Sequence, residues 1–240
     1  MKQLDLKMDS IKAVFISHEH GDHIKGVEGL VSKYQLPIYI TAATLQHSRL
    51  RIPQPLVKTF GPHEAVTIGG LSVLGFPKKH DAVDPHSFVV SGDGVHVGVF
   101  TDIGVPCQHV VDHFKKCHAI FLEANYDEQM LALGRYPINL KRRIAGDEGH
   151  LSNRQAAELL AAHRPAHMRH VFLSHLSQDN NKPEVALRTF SQFFDNLHIS
   201  VASRYAAGEL FEIAPTHAPV ALVAPVPARP ARAVQISLFQ

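Results

Sequence analysis

Cysteine is scarce in this 240-residue chain: Cys107 and Cys117 are the only two. Two thiols cannot build a disulfide framework, so the sequence points to a reduced, cytoplasmic setting. No run of 18 apolar residues occurs, and no transmembrane helix is expected. The opening MKQLDLKMDSIK lacks the apolar segment of a signal peptide. An excess of one charge is missing as well. Lys and Arg total 24 and Asp and Glu 22, and residues 214–240 hold Arg229, Arg232 and no acid. Residues 1–213 therefore carry 22 charges of each sign, which is not the balance of a globally basic nucleic-acid binder.

Histidine is abundant, at 18 residues. In a cysteine-poor chain this favours a nitrogen-ligated metal site. Hydrophobic residues make up 45% of the chain, enough for one full core, and the composition excludes collagen, coiled coil and disorder. Short apolar runs at Lys12–Ile16, Pro37–Ile40, Ala119–Glu123 and Val171–Ser174 read as strands. Val66–Phe76 and Ser87–Thr101 read as hairpins turning at Gly69-Gly70 and Ser91–Gly94. Helical spacing marks 23–33, 41–50, 106–116 and 183–196, and a capping-box pattern at Ser152–Gln155 opens another helix that Pro165 ends. His198–Ser203 and Glu209–Ile213 read as late strands, while 125–149 has no clear pattern. Strands, hairpins and helices mixed in this way fit a layered sheet sandwich covered by helices.

The densest chemistry is Ser17-His18-Glu19-His20-Gly21-Asp22-His23, directly after a strand. Residues two apart in extended chain project to the same side, so His18 and His20 can converge on one ion. Asp22 and His23 follow at once and can serve a second ion nearby. Imidazole and carboxylate without thiolate suit zinc, manganese or iron in an open, catalytic site. Further ligands must come from elsewhere. His80, Asp102 and His175 each follow a strand, where site residues tend to sit. Singly, each reads as an ordinary polar loop residue; the repeated strand-end placement raises them together.

The HxHxDH run, a later His, an Asp in TDIG and a final His resemble the metallo-β-lactamase superfamily. HDAVDPHSF, FLEANYDEQML, GRYPINLKRRI, GHLSN and LSHLSQDNN narrow the resemblance to its YycJ/WalJ (VicX) branch of metal-dependent nucleases, over about Asp5 to Ile213. The resemblance implies an α/β fold, the αββα four-layer metallo-β-lactamase sandwich, over residues 1–213. It implies two divalent ions, zinc or manganese. His18, His20 and His80 would hold one; Asp22, His23 and His175 the other; Asp102 would bridge them. A hydroxide shared by the ions would attack a DNA phosphodiester, most simply in 5′-to-3′ degradation of single-stranded DNA during repair. His150 in GHLSN is similar to a proton-transfer histidine of the related tRNA 3′-processing nucleases, with a packing histidine as the plainer alternative. Lys141, Arg142 and Arg143 could hold substrate phosphates or form a solvated face. Asn180 and Asn181 could cap the helix at Pro183 or touch substrate. The branch usually begins further upstream, so the pattern predicts missing first strands in one sheet and Met1 as an internal residue of a longer chain.

Residues 214–234 are mostly Ala, Pro and Val and read as a disordered linker, reaching roughly 60 Å when extended. Residues 235–240 end the chain differently. Gln235-Ile236-Ser237-Leu238-Phe239 resembles the bacterial sliding-clamp-binding peptide, with Leu238 and Phe239 as apolar anchors and Gln235 for register. A terminal strand is the competing reading. Two other functions also stay open: a small-molecule hydrolase acting on cyclic phosphodiesters or thioesters, and a clamp-binding scaffold without catalysis.

Overall fold

A computed structural model describes residues 4–195 and 197–215. Two sheets lie face to face. The smaller is parallel, in the order β1 (Val14–Phe15), β2 (Ile38–Ile40), β3 (Val57–Thr59), with β1 at an edge. The larger has seven strands in spatial order β10 to β4: β4 (Ala65–Ile68), β5 (Leu71–Pro77), β6 (His86–Gly92), β7 (Val95–Phe100), β8 (Ala119–Glu123), β9 (His170–Ser174) and β10 (His198–Val201). β4 to β7 pair antiparallel; β7 to β10 pair parallel.

The two hairpins turn where their residues dictate. Gly69 supplies a φ of 62° between β4 and β5. Asp93 and Gly94, at 49° and 77°, make the two-residue loop between β6 and β7.

Helices cover both outer faces. α1 (Gly21–Ile24) and α2 (Val27–Tyr34) are split at Gly26, which starts α2, so the helix expected over 23–33 comes in two pieces. Val27 and Val31 of α2, one turn apart, bury against Ile16, Ile38 and Ile40, with Leu45 of α3 (Ala42–Ser48) beside them. On the other face lie α4 (Gln108–Phe114), α7 (Asn153–His163) and α8 (Pro183–Thr189). Val110, Phe114, Leu159, Leu160 and Ala186 from these helices meet Ile120, Leu122, Val171 and Leu173 of the sheet. Between the sheets, Phe60, Val73, Phe88 and Val99 pack with Phe15 and Tyr39, whose rings stack at 4.7 Å. Helix, sheet, sheet, helix is the four-layer order that the sequence led us to expect.

Ser152 caps α7 through the full capping box with Gln155. The uncertain stretch 125–149 holds two short helices, α5 (Glu128–Leu133), capped by Asp127, and α6 (Ile138–Ile144). Glu209–Ile213 forms no strand: Phe211 docks its ring 5.4 Å from Phe172 and 4.5 Å from His198, and the segment joins no ladder. Among the described residues no helix is long and apolar enough to cross a membrane. The linker beyond Pro215 and the peptide at 235–240 lie outside the described residues.

Strand direction places the functional residues. β5, β7, β8 and β9 run the same way, so their C-terminal ends share one edge of the large sheet. β1 ends beside them, where Ser17 O accepts from His86 N at 3.0 Å. Loops leaving these five ends converge, as ligand sites in layered α/β sheets do.

Candidate metal centre

His18 and His20 leave β1, His80 follows β5, Asp102 follows β7, and His175 follows β9. His18, His20 and His80 bring one nitrogen each within 4.8 Å of one another. Asp22, His23 and His175 form a second such group, and His18, His23 and Asp102 a third that links the two. Asp102 is the hub. Its Oδ1 lies 3.4 Å from His23 Nε2, 3.5 Å from His175 Nε2 and 3.8 Å from His80 Nε2. Asp102 and His175 both hold positive φ, 56° and 57°, a conformation that costs non-glycine residues energy and gathers at functional sites.

The surroundings fix each ring. Ser17 Oγ lies 2.9 Å from His18 Nδ1, and His80 Nδ1 sits 3.0 Å from Gly149 O. Each thereby turns its Nε2 inward. Burial drives the His18 imidazole strongly toward its neutral form, and holds His80 down to about 4. Burial works against ionising Asp102, but the His175 and Lys78 charges keep its carboxyl well below the usual range. A hydrogen bond with His175 holds Asp22, the most exposed member, down to about 2. Burial opposes protonating His175, yet Asp102, Asp22 and Glu123 together raise it well above the ordinary imidazole value.

This set fits a divalent cation. His18 Nε2 and Asp102 Oδ2 are buried without hydrogen-bond partners. Orphaned buried polar atoms are costly, and a cation satisfies a nitrogen and a carboxylate oxygen together.

Glu123, at the end of β8, was not singled out from sequence. It is fully buried and collects five donors. Oε1 accepts from His175 Nδ1 at 2.7 Å, His150 Nδ1 at 2.9 Å and Asp102 N at 3.1 Å; Oε2 accepts from Ile103 N at 2.8 Å and Leu151 N at 3.1 Å. Burial opposes its charge, but His150 and His175 hold the carboxyl down to about 2. One carboxylate thus sets the tautomer of two histidines and the backbone turn that carries Asp102. Lys78 was also missed: its ammonium is buried, 2.7 Å from Thr101 O and 3.9 Å from Asp102 Oδ2.

The basic cluster divides. Lys141 Nζ donates to Ala132 O at 2.7 Å, in the last turn of α5, and so caps a helix end. Arg143 is paired with Asp81, whose other oxygen lies 3.5 Å from His80 Nε2. Arg142 and Arg143 line a cleft of about 570 Å³ with Lys79 and Gly149, beside the histidines. Asn181 neither caps α8 nor opens to the cleft. Its amide is buried, donating to Ala124 O and Asn153 Oδ1 at 2.8 Å each, while Lys182 is the residue that starts α8. Asn180 is buried as well.

Comparison with known proteins agrees with this fold. The model of the beta-lactamase superfamily domain matches residues 2–176. Exodeoxyribonuclease YycJ of Bacillus anthracis is 34% identical over 215 residues, 88% of this chain and 79% of that protein. Exodeoxyribonuclease WalJ of Streptococcus pneumoniae is 30% identical over 194 residues, 79% of this chain and 72% of that one. The metallo-beta-lactamase fold protein YhfI of Bacillus subtilis superposes with a TM-score of 0.62 at 18% identity, over 84% of this chain and 78% of that one. The chain belongs to the β-lactamase superfamily, alongside the YycJ and WalJ proteins, and is a metal-dependent hydrolase.

Proposed function

We propose that this protein is a dinuclear metal-dependent DNA exonuclease of the cytoplasm, degrading single-stranded DNA from the 5′ end in repair. The observation that carries the reading is Asp102 Oδ1 set between two histidine groups. The names of the YycJ and WalJ relatives support DNA as the substrate. His18, His20 and His80 would hold one ion, Asp22, His23 and His175 the other, with Asp102 shared between them. When bound, zinc or manganese ions lower the pKa of water and offset charge growing on a phosphoryl group.

The chain's own residues do the rest. Glu123 holds the Nδ1 proton of His150, which leaves Nε2 to exchange a proton with the leaving oxygen. Arg142 and Lys79 line the cleft and offer cations to the phosphates on either side of the cut. Arg143 is tied to Asp81 and keeps α6 over the His80 loop. The cleft also holds Asp81, Asp147 and Glu148, so Lys79 and Arg142 would act as local phosphate contacts in a lining of balanced charge.

Gln235, Leu238 and Phe239 would dock on the bacterial sliding clamp, the preceding stretch serving as a leash that raises local enzyme concentration. Deleting 235–240 should weaken clamp capture and leave cleavage of free oligonucleotides unchanged; equal loss of both would remove the clamp role.

The direct test follows 5′-labelled and 3′-labelled single-stranded DNA over time with added manganese or zinc. Metal-dependent release of short products from the 5′ end supports the reading. Intact DNA, with turnover of bis-p-nitrophenyl phosphate or a thioester, would replace it with a small-molecule hydrolase.

A further inference from the structure

Outside the centre, three more histidines meet on the far flank of the large sheet. His109 and His113 stand four residues apart on α4, so they face the same way, one turn apart. His63 comes from the turn before β4. Its ring centre lies 4.9 Å from that of His109 and 5.6 Å from that of His113.

Those separations are informative. Metal–nitrogen bonds of about 2.0–2.1 Å at tetrahedral angles set two ligating imidazole centres roughly 5 Å apart. Within the centre, His18, His20 and His80 show 4.6, 4.9 and 5.0 Å. His63 stands near that spacing from each of His109 and His113, at 4.9 and 5.6 Å, without sharing a residue with that site.

Three further observations fit a ligand role. No ring nitrogen of His63, His109 or His113 has a hydrogen-bond partner among the described residues. His63 holds a left-handed φ of 60°, and its backbone N donates to Gly75 O at 2.8 Å, so its turn is anchored on β5. His113 stacks on the buried Phe76 at 4.3 Å, which fixes one ring of the three. Burial, then Lys116 and His63, hold His113 down to about 4, so it is neutral at pH 7. The nitrogens do not yet meet at one point. His63 and His109 are exposed, and rotation of surface rings is fast.

We propose that His63, His109 and His113 form a peripheral site for one borderline divalent transition ion, zinc or nickel rather than magnesium or calcium. Three imidazoles without a carboxylate select that class. The ion would clamp the turn before β4 to α4. β5 leads into His80 and α4 follows the Asp102 loop, so the clamp braces both segments from behind.

The test is equilibrium dialysis of the chelator-stripped full chain against zinc, and separately nickel, followed by elemental analysis. A His63→Asn, His109→Asn double variant should bind one ion fewer per chain than the parent. Its DNA turnover should stay within twofold, and zinc should raise its Tm less than it raises the parent's. His113→Gln should lower the count by the same one ion. Equal stoichiometry in parent and double variant would overturn the proposal. So would a lost ion that sedimentation traces to a site shared between two chains. The readout counts ions rather than cut DNA, so it stands or falls apart from the nuclease reading.

Discussion

Two groups of three imidazoles gather in this protein and differ in what stands behind them. His18 and His80 each have a ring nitrogen engaged, by Ser17 Oγ and Gly149 O, and both are buried. His63 and His109 are exposed, and none of the outer nitrogens is engaged. Spacing alone brings rings together. The hydrogen bonds behind the rings choose the tautomer and limit rotation, so the ion meets a site already ordered. The inner centre should therefore hold metal more tightly than the outer one. The inner centre also has Asp102 to join its halves and Glu123 to steady them, and the outer trio has neither.

Removing those two advantages sharpens the contrast. Asp102→Ala takes away the shared carboxylate and should show the largest effect. Turnover should fall about 10³-fold, equivalent to several kcal/mol of lost charge stabilisation, and metal content should drop. Full activity in that variant would end the dinuclear reading. His150→Ala should keep the metal and slow the chemical step about 10²-fold in single-turnover assays, as loss of a proton-transfer group does. Loss of metal instead would make His150 a ligand.

Glu123→Gln should weaken metal affinity or activity by roughly 10- to 100-fold, since it loosens His150 and His175 together. A pH signature accompanies it. Glu123 titrates at about 2 in the folded chain, below the ordinary value of 4.5. A depressed carboxyl stabilises the fold above its unfolded pKa, and that stability is lost as pH falls from about 4.5 toward 2. In metal-stripped protein, the parent should lose more stability over that window than Glu123→Gln. Identical acid melting curves would show that the five hydrogen bonds do not favour the charged form. The smallest effect belongs to the outer trio, where His63→Asn should change turnover by less than twofold.

The inner centre was largely legible because its first four groups lie within six residues of one strand end, a pattern that survives without any structure. His80, Asp102 and His175 were legible as a set because each follows an apolar run. Glu123 was not. A single acid closing the run AIFLE looks like the end of a strand, and its five donors come from residues 102 to 175. The signal available was chemical: a carboxylate adjoining a fully apolar strand must find partners if it stays inside. Lys78 hid in the same way, in the polar run KKHD. Among the elements, β3 escaped notice because Val-Lys-Thr is too short for alternation to register. α5 and α6 escaped because they lie within 125–149, where no apolar periodicity registers. Lys141, Arg142 and Arg143 show what a residue run hides. A basic run on one helix looks uniform in sequence, yet its three side chains go to a carbonyl, a cleft and an aspartate.

The most direct measurement is anomalous diffraction from crystals grown with manganese, recorded at the manganese edge. The dinuclear reading predicts two peaks about 3.5–4 Å apart, with Asp102 between them and three more side chains around each. A single peak, or a pair that leaves Asp102 uncoordinated, would contradict it.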